Sequence, residues 1–114
     1  MGIKNKDTEK ESSLQERAEK LIRSKGGYVV KVHVSAYQSQ GTPDILVCYK
    51  GLFVGFELKV DENTLSDLQK IRIRQIRNAG GIAKGIYSLQ EIEETLYEIQ
   101  RLQSGGKSSW WTLL

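Results

Sequence analysis

The chain has 114 residues, a length that suits one buried core and is too short for two. Hydrophobic residues make up 39% and charged residues 27%, and no apolar run approaches the roughly 20 residues that cross a bilayer, so a membrane-spanning helix is excluded. The net charge of +3 and pI near 9.0 favour a polyanionic partner without requiring one.

The opening Met1-Gly2-Ile3-Lys4-Asn5-Lys6-Asp7 lacks the apolar stretch of a secretory signal, so a cytoplasmic protein is expected. From Thr8 to about Lys25, Leu14, Ala18, Leu21 and Ile22 recur at helical spacing, and Gly26-Gly27 supplies a stop. Tyr28 to Val34 is rich in β-branched and aromatic residues and reads as a strand. A polar loop from Ser35 to Thr42 follows.

Two more strands lie on either side of a tight turn at Lys50-Gly51. In the second, alternation places Leu52, Val54, Phe56, Leu58 and Val60 on one face and Phe53, Gly55, Glu57 and Lys59 on the other. Gly55 leaves room there for a ligand or another backbone. Cys48, the sole cysteine, has no internal disulfide partner and is expected to be a small buried apolar residue.

Thr64 is expected to cap the next helix, with Asp67 at the reciprocal position and Gly80-Gly81 as its end. Its inner stripe comprises Leu65, Leu68, Ile76 and Ala79, with Gln69 and Arg72 inside it. Lys70, Arg74 and Arg77 point outward, and Ile71 and Ile73 flank the stripe. A strand from Ile82 to Tyr87 comes next. Ser88 and Glu91 then form a capping box for a helix with an apolar stripe of Leu89, Ile92, Leu96, Ile99 and Leu102.

The order αβββαβα predicts an α/β fold, a mixed sheet flanked by helices, over residues 1–103. Residues 104–114 read as a Gly/Ser linker and an apolar tail containing Trp110-Trp111.

Asp44 precedes Glu57-Leu58-Lys59 by thirteen residues, which puts two carboxylates and a lysine at strand ends. Projected at about 100° per residue, Glu11 lies within roughly 60° of Leu14 and 20° of Ala18 and Ile22, whereas Glu9 and Glu16 point away. Glu11 is therefore either an inward-facing acid or the third helical residue of a box begun by Thr8. Gln69, on an inner stripe, either reaches the acids or makes an ordinary interhelical bond. Converging carboxylates facing one lysine would raise each other's pKa, a conflict that a bound cation resolves. Oxygen donors select Mg²⁺ or Mn²⁺ over Zn²⁺. The lone His33 is expected to pack or face solvent rather than bind a metal.

Gly41-Thr42-Pro43-Asp44 followed by Glu57-Leu58-Lys59 resembles the PD-(D/E)xK nuclease signature, with its restriction-endonuclease-like core. Together with Glu11-x-x-Leu14-Gln15, the Cys48-Tyr49-Lys50-Gly51 hairpin, Leu65-Ser66-x-x-Gln69 and Ala79-Gly80-Gly81, it resembles more narrowly the VRR-NUC (virus-type replication-repair nuclease) domain. The likeness spans about residues 9 to 95. It implies a Mg²⁺-dependent, structure-selective DNA endonuclease of the Holliday-junction-resolvase kind, homodimeric and of viral or mobile-element origin.

On that resemblance Asp44, Glu57 and the backbone carbonyl of Leu58 hold the metal, with Glu11 joining directly or through water. Lys59 serves the attacking water, and Gln69 steadies the group. Lys31, Lys50, Lys70, Arg74, Arg77 and Lys84 are candidate phosphate contacts, and Tyr37 either stacks on an unpaired base or is an ordinary surface residue. Ile71, Ile73 and Trp110-Trp111 are candidate dimer contacts. The competing readings are a non-catalytic nucleic-acid-binding or assembly module that keeps the nuclease shape, and a nicking or restriction-like enzyme acting on duplex or flap DNA.

Overall fold

In the computed structural model, residues 6–32, 40–59 and 64–103 are described, with side chains of the first helix from Ser13 onward. Helix α1 (Lys6–Ser24) is followed by β1 (Tyr28–Lys31), β2 (Ile45–Tyr49) and β3 (Leu52–Leu58). Then come α2 (Asp67–Asn78), β4 (Ile82–Ile86) and α3 (Leu89–Gln103). This is the order αβββαβα expected from the sequence. The spatial order of the sheet is β1-β2-β3-β4.

β1 and β2 pair antiparallel through Val29↔Val47, and β2 and β3 through Val47↔Val54. The β2–β3 loop is only Lys50-Gly51, with φ of 51° and 83°. Two consecutive left-handed residues are what a two-residue hairpin matched to strand twist demands. β4 pairs with β3 in parallel, through Val54↔Ile82 and Leu58↔Ile86. Parallel neighbours need a crossover, and α2 provides it.

Alternation along β3 separates two packing layers. Val54, Phe56 and Leu58 join Ile45, Val47, Tyr49 and Ile86 in a core closed by Leu14, Ala18 and Ile22 of α1 and by Ile92, Leu96 and Ile99 of α3. Burial of each such large aliphatic or aromatic side chain contributes about 1.5–3 kcal/mol. The expected helix stripes account for this layer, except that Leu102 is exposed. α2 covers the other face of the sheet. There Ile73, and not the neighbouring stripe, is the buried centre of the helix, so it is withdrawn from any dimer contact, while Ile71 is 44% exposed.

Because α2 lies over β3 and β4, no described helix covers the α2 side of β1 and β2. Cys48, paired with Phe53 and Tyr28 across the strands, is exposed there, contrary to the expectation of a buried thiol. Among the described residues no helix is long and apolar enough to cross a membrane. His33, Tyr37 and the tail with Trp110-Trp111 lie outside the described residues.

Candidate metal centre

Glu57 stands on the α2 face of β3 and is 4% exposed. A carboxylate so placed needs partners, since an unpaired buried charge is expensive. Gln69 of α2 donates from Nε2 to Glu57 Oε1 at 2.7 Å. Lys59, two residues on and on the same face, holds its Nζ 4.0 Å from the same oxygen. Glu57 Oε2 is buried and has no hydrogen-bond partner among the described residues.

Asp44 precedes β2, where the β2–β3 ladder has run out beyond Ile45↔Phe56. The next inward N–H of β3, that of Leu58, donates to Asp44 Oδ2 at 2.8 Å. Lys59 N–H turns the opposite way and donates to Ile86 O at 2.8 Å. N–H and C=O of one strand residue leave on the same side, so the Leu58 carbonyl opens toward Asp44 as well.

The turn carrying Asp44 is held from behind. Pro43 packs against Gly55, where an added Cβ would sit 2.9 Å from the ring Cγ and 3.3 Å from Ile76 Cδ1. The space left by Gly55 is thus filled by the Asp44 turn itself. Gly41, at φ 82°, lies so close to α2 that a Cβ would be 2.8 Å from Leu68 backbone atoms. Arg72 donates from Nε to Gln40 O at 2.9 Å, tying the same turn to α2. An open groove of about 390 Å³ lies behind it, lined by Pro43, Phe53, Arg72 and Ile76. The carboxylates are not part of that groove.

Burial pushes the Glu57 carboxyl up from its ordinary 4.5 to about 8, and the neighbouring Asp44 carboxylate adds to the rise while Lys59 opposes it. Burial also raises Asp44, against the Leu58 N–H bond, a hydrogen bond with the Glu57 carboxyl and the charge of Lys59, which favour its charged form. These are two crowded acids with too little positive charge. Hard oxygen donors, one of them buried without a partner, fit a divalent cation such as Mg²⁺, which takes one or two carboxylates and keeps several waters. Among the described residues there is no cluster of three His, Cys, Asp or Glu. The Glu11 side chain is outside them; its backbone lies in α1, one turn before Leu14, and that helix does bury Leu14, Ala18 and Ile22.

α2 begins at Ser66, not Thr64. Ser66 Oγ accepts from Gln69 N–H at 3.2 Å, and Gln69 Oε1 accepts from Ser66 N–H at 2.8 Å. Gln69 therefore closes a capping box and reaches Glu57 with the same amide. Ser66-x-x-Gln69 matches the box signature as well as Thr64-x-x-Asp67 does, and was the signal for this role.

The basic candidates separate by position. Lys70, Arg74 and Arg77 recur along α2 and line a groove of about 290 Å³ with Leu65 and Ile73. Arg77 also donates to Ala83 O at 3.0 Å. Lys84 is on the opposite sheet face, beside Glu94 and Glu98 of α3. Lys50 is in the hairpin at the far end of β2 from Asp44, over the Tyr49 ring. Lys31 pairs with Ile45 near Asp44, but alternation puts it on the α1–α3 face.

No protein-family model matches the chain. A solved structure described as a VRR_NUC domain superposes with a TM-score of 0.63 and 28% identity, covering 77% of this chain and 95% of that one. A Holliday junction resolvase RecU from Listeria welshimeri serovar 6b is 31% identical over a 94-residue alignment that covers 69% of this chain and 47% of the resolvase. The chain thus spans about half the length of the curated relative it matches. A superposition that covers almost the whole of the solved domain, the order αβββαβα, and Asp44 and Glu57-Leu58-Lys59 at adjoining strand ends lead to one conclusion: the chain is a nuclease-fold domain of the VRR-NUC family.

Proposed function

We propose that the protein is a Mg²⁺-dependent DNA endonuclease that selects branched structures, with four-way junctions as preferred substrate. The observation that carries the reading is Glu57: a buried carboxylate with one oxygen unpartnered, next to a second carboxylate and a lysine. The names of the two similar proteins support nuclease chemistry and, for the resolvase, a junction substrate.

In this reading Asp44, Glu57 and the Leu58 carbonyl hold the cation, with Glu11 as a further ligand. When bound, Mg²⁺ supplies charge that polarises the scissile phosphate and makes water more acidic. The remaining work falls to side chains. Asp44 is kept in place by Leu58 N–H, and Glu57 by the Gln69 amide. Lys59, on the Glu57 face, orients the attacking water and offsets charge that develops on the phosphate. Lys70, Arg74 and Arg77 guide the phosphate backbone along α2 without reading sequence. Paired cuts across a symmetrical junction need two centres, which a C₂ homodimer supplies. The substrate is DNA in the cytoplasm.

The test is a panel of four-way junction, flap, nicked and plain duplex DNA incubated with Mg²⁺, run beside Lys59→Ala. Junction cleavage by the wild type alone is expected. Binding without cutting would remove the catalytic reading, and equal cutting of duplex and junction would remove the selectivity.

A further inference from the structure

We propose that Ser66 is a positioning residue for the metal centre: its main-chain N–H, by holding Gln69 Oε1, fixes the Gln69 amide so that only its NH₂ end faces Glu57. The inference rests on the nuclease reading above for its purpose, but on two hydrogen bonds for its substance. Ser66 N–H donates to Gln69 Oε1 at 2.8 Å, and Gln69 Nε2 donates to Glu57 Oε1 at 2.7 Å.

A glutamine amide has an acceptor end and a donor end of nearly equal size, and can be turned over at little steric cost. A backbone N–H can only donate, so it accepts one of the two orientations. Turned over, Gln69 would put NH₂ against N–H at Ser66 and oxygen against oxygen at Glu57. The first contact repels in every state, and the second does so once Glu57 is charged, the form in which it would hold a cation. The helix cap and the carboxylate are thus linked through a single amide whose direction the cap decides. Glu57 Oε1 is engaged by this donor, which leaves Oε2, the buried oxygen without a partner among the described residues, for the cation.

Ser66 contributes a hydroxyl and an N–H, and the two can be removed separately. Its φ of −70° and ψ of 165° suit proline, and Leu65 before it lies outside the helix. Ser66→Ala deletes the hydroxyl cap to Gln69 N and keeps the N–H. Ser66→Pro deletes both, so the difference between the two variants isolates the amide-orienting bond.

The 114-residue chain would be titrated with Mn²⁺ alone, by calorimetry. Ser66→Pro is expected to bind about tenfold or more weakly than Ser66→Ala, the usual effect of losing a group that orients a metal ligand. Equal affinity in the two variants would overturn the proposal. Amide exchange at Ser66, followed by NMR, gives a readout independent of the proline variant's folding: the Ser66 N–H should exchange slowly in the wild type and faster in Gln69→Ala. Equal rates would overturn it too. A wild type that binds Mn²⁺ but cuts no DNA removes the nuclease reading and leaves the positioning role standing. An active enzyme whose Mn²⁺ affinity ignores Ser66→Pro does the reverse.

Discussion

Asp44 Oδ2 accepts the N–H of Leu58 at 2.8 Å, so a side chain completes a strand ladder that the backbone of β2 has stopped supplying. The carboxylate therefore has two tasks, one structural and one electrostatic, and substitutions separate them. Asp44→Asn keeps an oxygen for Leu58 N–H and removes the charge that opposes Glu57. Asp44→Ala leaves that N–H unsatisfied, at a cost of about 1–3 kcal/mol. In chelator-treated protein near pH 8, Asn should match or exceed the wild type in thermal stability, and Ala should fall below Asn. Both should abolish cleavage.

The raised Glu57 makes the metal-free protein sensitive to alkali. Folding lifts its pKa from 4.5 to about 8, so the folded state binds more protons than the unfolded state across that window. Stability is then fullest below about pH 4.5 and declines as pH rises toward 8. Asp44, also raised, acts with the same sign. Denaturant titrations in chelator should show this decline in the wild type and a flatter curve in Glu57→Gln. Saturating Mg²⁺ should restore most stability at the alkaline end, where no proton competes for the site.

Pro43 and Gly55 form the steric seat of the Asp44 turn. Gly55→Ala brings a Cβ to 2.9 Å from the Pro43 ring, overpacking that should cost about 1–3 kcal/mol and displace Asp44. Weaker Mn²⁺ binding should accompany the loss. Pro43→Ala opens the space, so the double variant should recover part of the stability lost by Gly55→Ala. A double-mutant cycle by chemical denaturation measures this coupling.

Charge placement separates the basic residues functionally. Lys70→Ala and Arg74→Ala should each weaken junction and duplex binding alike and reduce the salt-dependence slope by about 1. Lys84→Ala and Lys50→Ala, on the α3 face and at the hairpin tip, should leave affinity unchanged. Fluorescence anisotropy across a salt series with catalysis blocked by chelator measures both.

The element order was legible because each segment carries an uncontested period: alternation in β3, three-four spacing in α1 and α3, and glycine pairs at the helix ends. The adjacency of Asp44, Glu57 and Lys59 was legible for the same reason, since strand pairing follows from a hairpin as short as Lys50-Gly51. α2 was read less well. Its inner face is set by a sheet that the described helices cover only in part on that side, so Ile73 is buried and Cys48 is exposed, and neither fact follows from local periodicity. The cap at Ser66 was obscured by Thr64, an equally good local candidate; what decides between them is the long-range pull of Glu57 on Gln69. Likewise the Arg72 bond to Gln40 O joins residues 32 apart, which no short-range pattern encodes.

Crystals grown with Mn²⁺ show by anomalous scattering whether Asp44 and Glu57 share a divalent cation. A peak is expected between the two carboxylates, about 2.1 Å from a carboxylate oxygen of each, near the metal–oxygen distance of Mg²⁺ sites, with the Leu58 carbonyl beside it. A well-ordered Glu57 with no peak beside it, or Mn²⁺ bound only elsewhere, would mean that the two carboxylates are not metal ligands.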